Sequence, residues 1–316
     1  MNIEEFEKLP RENRWSYSRI NSFSRCPRKH HYSYKEELRG KSNIHIKLGD
    51  YFHRILDAHH KGEDVEAIIK KYEEEARVGS IEHEEELMRH VYNEYVSWYE
   101  PDDVMYTEQE FIEEWENGDY IIAKVDLIRR HNELVIARDT KTTTKKFKHD
   151  IGSVRHNQQL LLYKPIIEEG LGITVDGVEI DEVRLDICRP PLINKNGRPT
   201  ADVRKLGNVK HETYLNTLKS MGLEKAEEYQ KALGELAKRG HPLFNRVTID
   251  CIDDKAISEN LNDLYGFYKL AKTGCKSRVR SILCDYCEFR LLCDAEYTDL
   301  DDEGRQFIVD KIVKNS

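Results

Sequence analysis

Lys124-Val-Asp-Leu-Ile-Arg-Arg-His-Asn-Glu-Leu-Val-Ile-Ala-Arg-Asp-Thr-Lys141 decides the fold. Ile121, Ile122, Val125, Leu127 and Ile128 make one apolar run, and Leu134, Val135, Ile136 and Ala137 make a second. The polar stretch Arg129-Arg-His-Asn-Glu133 between them has the length and composition of a hairpin loop, so the segment reads as a β-hairpin. Each strand carries one carboxylate, Asp126 and Asp139. Lys141 lies two residues beyond Asp139, and strand alternation puts both side chains on one face.

Working outward, residues 104–115 alternate as a strand, with Tyr106, Glu108, Glu110 and Ile112 at alternating positions. Residues 47–61 read as a helix with Leu48, Phe52, Ile55 and Leu56 on its apolar face, which sets Gly49 and His53 one turn apart. Residues 64–100 form a charged helical insertion, two helices joined near Val78-Gly-Ser80. Ser18 is a candidate N-cap for a short helix to Arg25, and Pro27 opens another through Tyr34. Downstream, 157–170 reads as a helix stopped by Gly170, and 182–188 as a strand built on Val183, Leu185 and Ile187. A long loop covers 189–199, a helical run extends from 208 to 239, a strand spans 244–251 and a helix spans 255–273. Residues 1–15 read as a polar arm, 16–300 as a single domain with a cysteine segment at 275–295, and 301–316 as an acidic, polar tail.

Of 316 residues, 34% are charged, and the formal net charge is −9. That balance excludes nonspecific coating of nucleic acid through overall charge. It permits a local basic groove, and Lys141, Lys145, Lys146, Lys148 and His149 cluster directly after the hairpin. The alternative for this cluster is a solvated loop. No apolar run is long enough for a membrane span, and the N-terminus has no secretory pattern, so a cytoplasmic protein is expected, in the host cytoplasm if viral. Seven cysteines in a reducing compartment point to metal ligands or buried thiols rather than disulfides.

Two acids and an ammonium converging at one sheet edge suit Mg²⁺-dependent phosphodiester hydrolysis. Carboxylates hold a hard cation through oxygen. The cation polarises phosphate and lowers the pKa of a bound water. The order helix, strand, strand pair, helix, strand, with these acids on the middle pair, resembles the PD-(D/E)XK nuclease superfamily and, within it, the RecB-like branch. Gly49-x-x-x-His53, Ala123-Lys-Val-Asp126, Asp139-Thr-Lys141 and Gln159-x-x-x-Tyr163 occur in the order of that branch. Ala123 stands where the family often has Gly. The resemblance implies an α/β restriction-endonuclease-like core, a central mixed β-sheet flanked by helices. It implies His53, Asp126, Asp139 and the Thr140 carbonyl as ligands of Mg²⁺ or Mn²⁺, and Lys141 positioning the attacking water. Gln159 and Tyr163, at i and i+4, share a helical face and would brace the site or touch the DNA backbone. Gln158 is a near competitor, and Glu108 or Glu110 could add an outer carboxylate.

Cys284-x-x-Cys287 with Cys293 makes a local thiolate triplet, and Cys26 is the candidate fourth. This resembles the iron–sulfur nucleases of the same branch, AddB and the CRISPR-adaptation nuclease. That likeness implies a [4Fe–4S] cluster stapling the two ends of the domain, with a structural Zn²⁺ as the alternative. Tyr17, Tyr286 and Phe289 are expected to pack around it. The run from Arg28 to Tyr32 suits either phosphate binding or solvation. The resulting expectation is a metal-dependent DNA exonuclease acting on ends or single strands, cutting in line to leave a 5′-phosphate. No Walker A motor motif is present, so a helicase, recombinase or CRISPR-adaptation partner would open duplex DNA. The rival is a noncatalytic DNA-end-binding adaptor retaining the fold.

Overall fold

The computed structural model describes residues 1–38, 44–76, 84–296 and 301–313. In chain order, its first half contains α1 (Ile3–Lys8), β1 (Arg14–Ser16), α2 (Tyr17–Arg25), α3 (Pro27–Tyr34), α4 (Ile44–Lys61), α5 (Val65–Ala76), α6 (Glu84–Trp98), β2 (Asp103–Glu116), β3 (Asp119–His131) and β4 (Leu134–Thr143). Then come α7 (Ile151–Arg155), α8 (Gln158–Leu171), β5 (Gly177–Arg184), α9 (His211–Ser220), α10 (Glu227–Arg239), β6 (Phe244–Ile249), α11 (Asp254–Lys272), α12 (Arg290–Ala295) and α13 (Asp302–Val313). The expected joint at Val78-Gly-Ser80 lies outside the described residues.

The hairpin forms with longer strands and a tighter turn than its polarity suggests. Only Asn132 and Glu133 make the turn, with φ of 49° and 70°, the left-handed pair that a two-residue hairpin loop demands. Arg129 and Arg130 belong to β3, and Arg129 is buried.

The sheet is mixed. β2 and β4 flank β3 antiparallel, β5 lies parallel to β4, and β6 closes the edge antiparallel to β5. The parallel step needs a crossover, which α7 and α8 supply. β2 takes one edge of β3 along nearly its whole length. The other edge is shared. β1 pairs with Tyr120–Ile122 and β4 with Leu127–His131. Among the described residues no strand pairs with 123–126 on that side, and this fork holds Asp126.

One core packs α2, α8 and α11 against the sheet, through Ile121, Ala123, Leu162 and Tyr268 among others. A second packs α4, α5 and α6 through Phe52, Ile69, Met88 and Tyr95. Trp15 is buried, so the end of the expected N-terminal arm is the strand β1. Ser16, not Ser18, caps α2, accepting from the Arg19 N–H at 3.3 Å. Gly172, not Gly170, ends α8 with φ +65°. Gly170 lies inside the helix against Phe111, where a Cβ would approach a ring carbon to 2.6 Å.

The expected strand 182–188 sits five residues earlier, as β5, and the expected helical run to 239 divides into α9 and α10. β5 carries Glu179, Asp181 and Glu182, all buried, and this charge hides a central strand from a hydropathy reading. Arginines on β3, β4 and β6 satisfy the first two. Glu179 accepts from Arg129 at 2.7 Å and Arg138 at 2.5 Å. Arg138 also forks onto Asp102 at 2.6 and 2.7 Å. Asp181 accepts from Arg246 and Tyr95, each at 2.7 Å. Burial alone would raise the Glu179 carboxyl, but Arg138 and Arg129 outweigh it and hold it down at about 2.

Removing one member of such a network strands buried charge, so Glu179→Ala should cost about 3–5 kcal/mol in denaturant unfolding. A carboxyl held below its unfolded value of 4.5 stabilises fully above that pH and loses the contribution as pH falls toward about 2. Glu179→Gln should therefore flatten the acid limb of the stability–pH curve.

Candidate active site

The fork in the sheet dictates the site. Beyond the Leu127↔Arg138 pair β4 leaves β3 and continues beside β5 to Thr143. The Thr140 N–H donates to the Asp126 carboxylate instead, at 2.7 Å. The side chain thus replaces the missing ladder bond and is fixed by the backbone of the strand that carries Asp139. The contact the structure gives Thr140 is through its N–H, whereas the sequence reading used its carbonyl.

Asp139 is buried. Its Oδ2 lies 2.7 Å from the Lys141 ammonium, and its Oδ1 accepts from Gln159 Nε2 at 3.0 Å. The Gln159 carbonyl accepts from Lys141 at 3.0 Å, and its amide also donates to the Tyr163 hydroxyl at 2.8 Å. Gln159 is therefore bonded at both ends of its amide. Gln158, its competitor, offers its backbone carbonyl to Asn260. Asn157 caps α8 by accepting from the N–H groups of Gln159 and Leu160, which fixes the turn that carries the glutamine.

His53 reaches in from α4, with Nδ1 3.5 Å from Asp126 Oδ2. Gly49 permits this approach, because a Cβ there would meet Thr142 Oγ1 at 2.6 Å. His53, Asp126 and Glu108 each offer one donor atom, all within 4.8 Å of one another. The structure thus gathers His53, Asp126, Thr140, Asp139, Lys141, Gln159 and Tyr163 at one end of the sheet, and of the two outer carboxylates expected, Glu108 and Glu110, it groups Glu108 with His53 and Asp126.

Burial raises the Asp126 carboxyl to about 7. Asp139 and Glu108 add to this, and His53 and the Thr140 N–H oppose it. Burial lowers the Lys141 amine, but Asp139 more than compensates and its pKa is raised. The Tyr163 hydroxyl is raised, chiefly by burial. Carboxylates and an imidazole are donors that suit a divalent cation, and the group His53, Glu108 and Asp126 could hold one, with the buried Asp139 on the neighbouring strand. Another trio, His90, Glu94 and Cys188, is already neutralised: Lys210 lies 2.9 Å from both Glu94 oxygens.

The basic loop after β4 is tied down rather than fully solvated. Glu182 accepts the N–H groups of Lys148 and His149 at 3.0–3.1 Å. A groove of about 760 Å³ runs past Lys141, Gln159, Lys124, Arg25 and Lys29 to Cys284. Tyr286 stands on its lip 80% exposed, with the Lys145 ammonium 6.0 Å from its ring centre. This corrects the expectation that Tyr286 packs inward. Phe289 does so, against Tyr32. In the Arg28–Tyr32 run, Arg28, Lys29 and His31 pair with Glu296, Glu288 and Glu36, and His30 and Tyr32 are buried.

Cys26, Cys284, Cys287 and Cys293 line one cavity of about 290 Å³, between α3, α12 and the turn before α12. All four are free thiols and half-buried, and burial raises the Cys287 and Cys293 thiols. Cys251 and Cys275 are exposed, and Cys188 belongs to the other trio. The expected tail includes α13, whose Val309 packs against Tyr32, Phe289 and Leu292.

A family model described as the PD-(D/E)XK nuclease superfamily matches residues 14–294. The solved structure of SSO0001 is 14% identical, with a TM-score of 0.40, covering 92% of this chain and 91% of that one. A structure named "Putative exonuclease" from Eubacterium rectale is 11% identical, with a TM-score of 0.47, covering 91% and 92%. No curated protein matches the sequence.

Because the Asp126 carboxyl is raised in the fold, its ionisation destabilises the metal-free protein. The penalty begins near the unfolded value, about pH 4, and is complete above about 7. Asp126→Asn should therefore melt higher than the parent in EDTA, by a margin that grows between those limits and then stays level. A variant no more stable than the parent at pH 8 would contradict this.

Proposed function

The chain belongs to the PD-(D/E)XK nuclease superfamily, and we propose that it is a RecB-like, Mg²⁺- or Mn²⁺-dependent deoxyribonuclease that works as an exonuclease on DNA ends or single strands. The observation that carries this reading is the meeting of Asp126, Asp139 and Lys141 at the sheet fork, with Lys141 on the wall of a groove that also carries Lys124, Arg25 and Lys29.

Asp126, Asp139 and His53 would hold the ion, which when bound polarises the scissile phosphate and acidifies a water. Lys141 is fixed between Asp139 and Gln159, so its ammonium can donate to an attacking water or to charge developing on phosphate. Gln159 keeps that ammonium and Asp139 in register, and Tyr163 braces Gln159. The groove supplies what a threaded strand needs: lysines and an arginine for the backbone, and the exposed Tyr286 ring as a surface on which a base can stack. On this reading duplex DNA is opened by a partner, such as a helicase, a recombinase or a CRISPR-adaptation protein.

The four cysteines would hold a [4Fe–4S] cluster. All four line one cavity. Zinc ribbons usually carry two local Cys-x-x-Cys knuckles, and this chain has one, Cys284 with Cys287, which favours a polynuclear centre over Zn²⁺.

End-labelled single- and double-stranded linear DNA incubated with Mg²⁺ or Mn²⁺ tests the activity. Nucleotide release should fall at least about a hundredfold in Asp139→Ala and vanish in EDTA. Binding without release, unchanged in Asp139→Ala, would favour an adaptor instead. Anaerobically purified protein should be brown, and Cys287→Ala should lose the colour. Colourless protein with stoichiometric zinc would overturn the cluster.

A further inference from the structure

Arg19, in the first turn of α2, is only 3% exposed. One nitrogen of its guanidinium, Nη1, donates to the backbone carbonyls of Arg11 and Arg14. The other two, Nε and Nη2, are buried and have no hydrogen-bond partner among the described residues. The charge therefore meets two neutral carbonyls and no carboxylate. Asp119 acts on it from a distance, but that carboxylate is engaged by Lys272 at 2.6 Å and by the Tyr268 hydroxyl at 2.5 Å. Burial brings the Arg19 pKa down to about 10, which still leaves it charged at neutral pH. A buried cation without a counter-ion is costly, and buried donors without acceptors are rare in folded proteins.

The two orphaned nitrogens are not an arbitrary pair. Nε–H and Nη2–H form one edge of the guanidinium, the fork that meets two oxygens of a phosphate or carboxylate at once. Stacking holds the plane of that fork: Cζ lies 3.9 Å from the centre of the Trp15 ring and 5.3 Å from that of Tyr34. Trp15 is itself fixed by the pairing of β1 with Ile121, and its indole N–H is a further buried donor without a partner among the described residues.

Arg19 and Trp15 line a cavity of about 560 Å³ together with Arg14, Ser16, Ser33 and Tyr34. Two acids also line it, and both are engaged. Glu37 pairs with Arg11 at 2.9 Å and Glu288 with Lys29 at 3.1 Å. Arg14 donates to the Glu7 carbonyl at 3.1 Å, so its charge adds to that of Arg19. The carboxylates at the fork do not line this cavity, yet it opens toward their groove, because Ser16, Ser33, Tyr34, Ile122 and Glu288 line both.

We infer that this cavity is an anion site, in which the unpartnered edge of Arg19 takes the phosphate group of a phosphate monoester. Two arginines suit a phosphate dianion better than the single charge of a carboxylate, and the volume admits a mononucleotide. Two sources carry that chemistry: a free mononucleotide or inorganic phosphate, and the terminal phosphate of a strand lying in the groove. The second source rests on the nuclease reading, and the first does not.

The test is calorimetric titration of the purified full chain in EDTA with inorganic phosphate, with dAMP, and with a single-stranded oligonucleotide bearing or lacking a terminal phosphate. Inorganic phosphate and dAMP should each bind at one site and raise the melting temperature. Arg19→Lys keeps the charge and loses the fork, so it should bind at least about tenfold more weakly. Arg14→Gln, at a half-buried position, should weaken binding severalfold and carries the test should Arg19→Lys fail to fold. Lys141→Ala should bind as the parent does, which separates this site from phosphate held at the fork. Each variant's thermal shift is read against its own ligand-free melting temperature, so a merely structural role for Arg19 would lower the baseline and leave the shift intact. A terminal phosphate that tightens the oligonucleotide in the parent and not in Arg19→Lys assigns the site to a strand end. Equal oligonucleotide affinities beside tight dAMP binding assign it to the free monoester. No binding of phosphate or dAMP and no effect of the terminal phosphate would overturn the inference. Binding unchanged in Arg19→Lys and Arg14→Gln but lost in Lys141→Ala would also overturn it, and either result leaves the nuclease reading intact.

Discussion

One hydrogen bond organises the functional end of the molecule: the Thr140 N–H to the Asp126 carboxylate, 2.7 Å. A strand offers two edges, and β3 gives one entirely to β2. Its other edge is divided between β1 and β4, leaving 123–126 unpaired on that side. A peptide N–H at such a gap must find an acceptor or carry the cost of a buried, unsatisfied donor. Asp126 supplies that acceptor, so the carboxylate is part of the backbone pattern as well as of the site. Its placement relative to Asp139 follows from the sheet and not from side-chain packing, which is the rigidity a metal site needs.

The surrounding chemistry follows from that placement. α8 begins at a capped Asn157 immediately over the fork, so its first turn delivers Gln159 to Asp139 and Lys141. α4 comes close enough to present His53 because residue 49 lacks a side chain. On the opposite side of β5, Arg129, Arg138 and Arg246 neutralise Asp102, Glu179 and Asp181. That balanced network lets a charged strand occupy the middle of the sheet.

Much of this was legible in the residues, and the failures have physical causes. The hairpin, both acids, the lysine and the glutamine–tyrosine pair are short-range signals, carried by alternation and helical spacing. β5 is hidden because Glu179, Asp181 and Glu182 read as surface, whereas their partners lie on other strands and in the loop after β4. The hairpin turn reads too long because Arg129 looks like a loop residue until Glu179 is beside it. Ser16 is masked as a cap because Ser18 offers the same chemistry two residues later. Glu108 could be placed on a strand but not at a left-handed angle, since no residue type announces that conformation in the middle of a strand. Cys26 and the distant triplet were paired through resemblance, and the fold brings them to one cavity.

The central claim is that the carboxylates at the fork gather around a common divalent ion. Anomalous scattering from a crystal of the full chain soaked in Mn²⁺ tests it most directly. The account predicts manganese peaks bonded to Asp126, with Asp139 and His53 among the remaining ligands. Manganese absent from the fork, or bound instead by His90, Glu94 and Cys188, would contradict it.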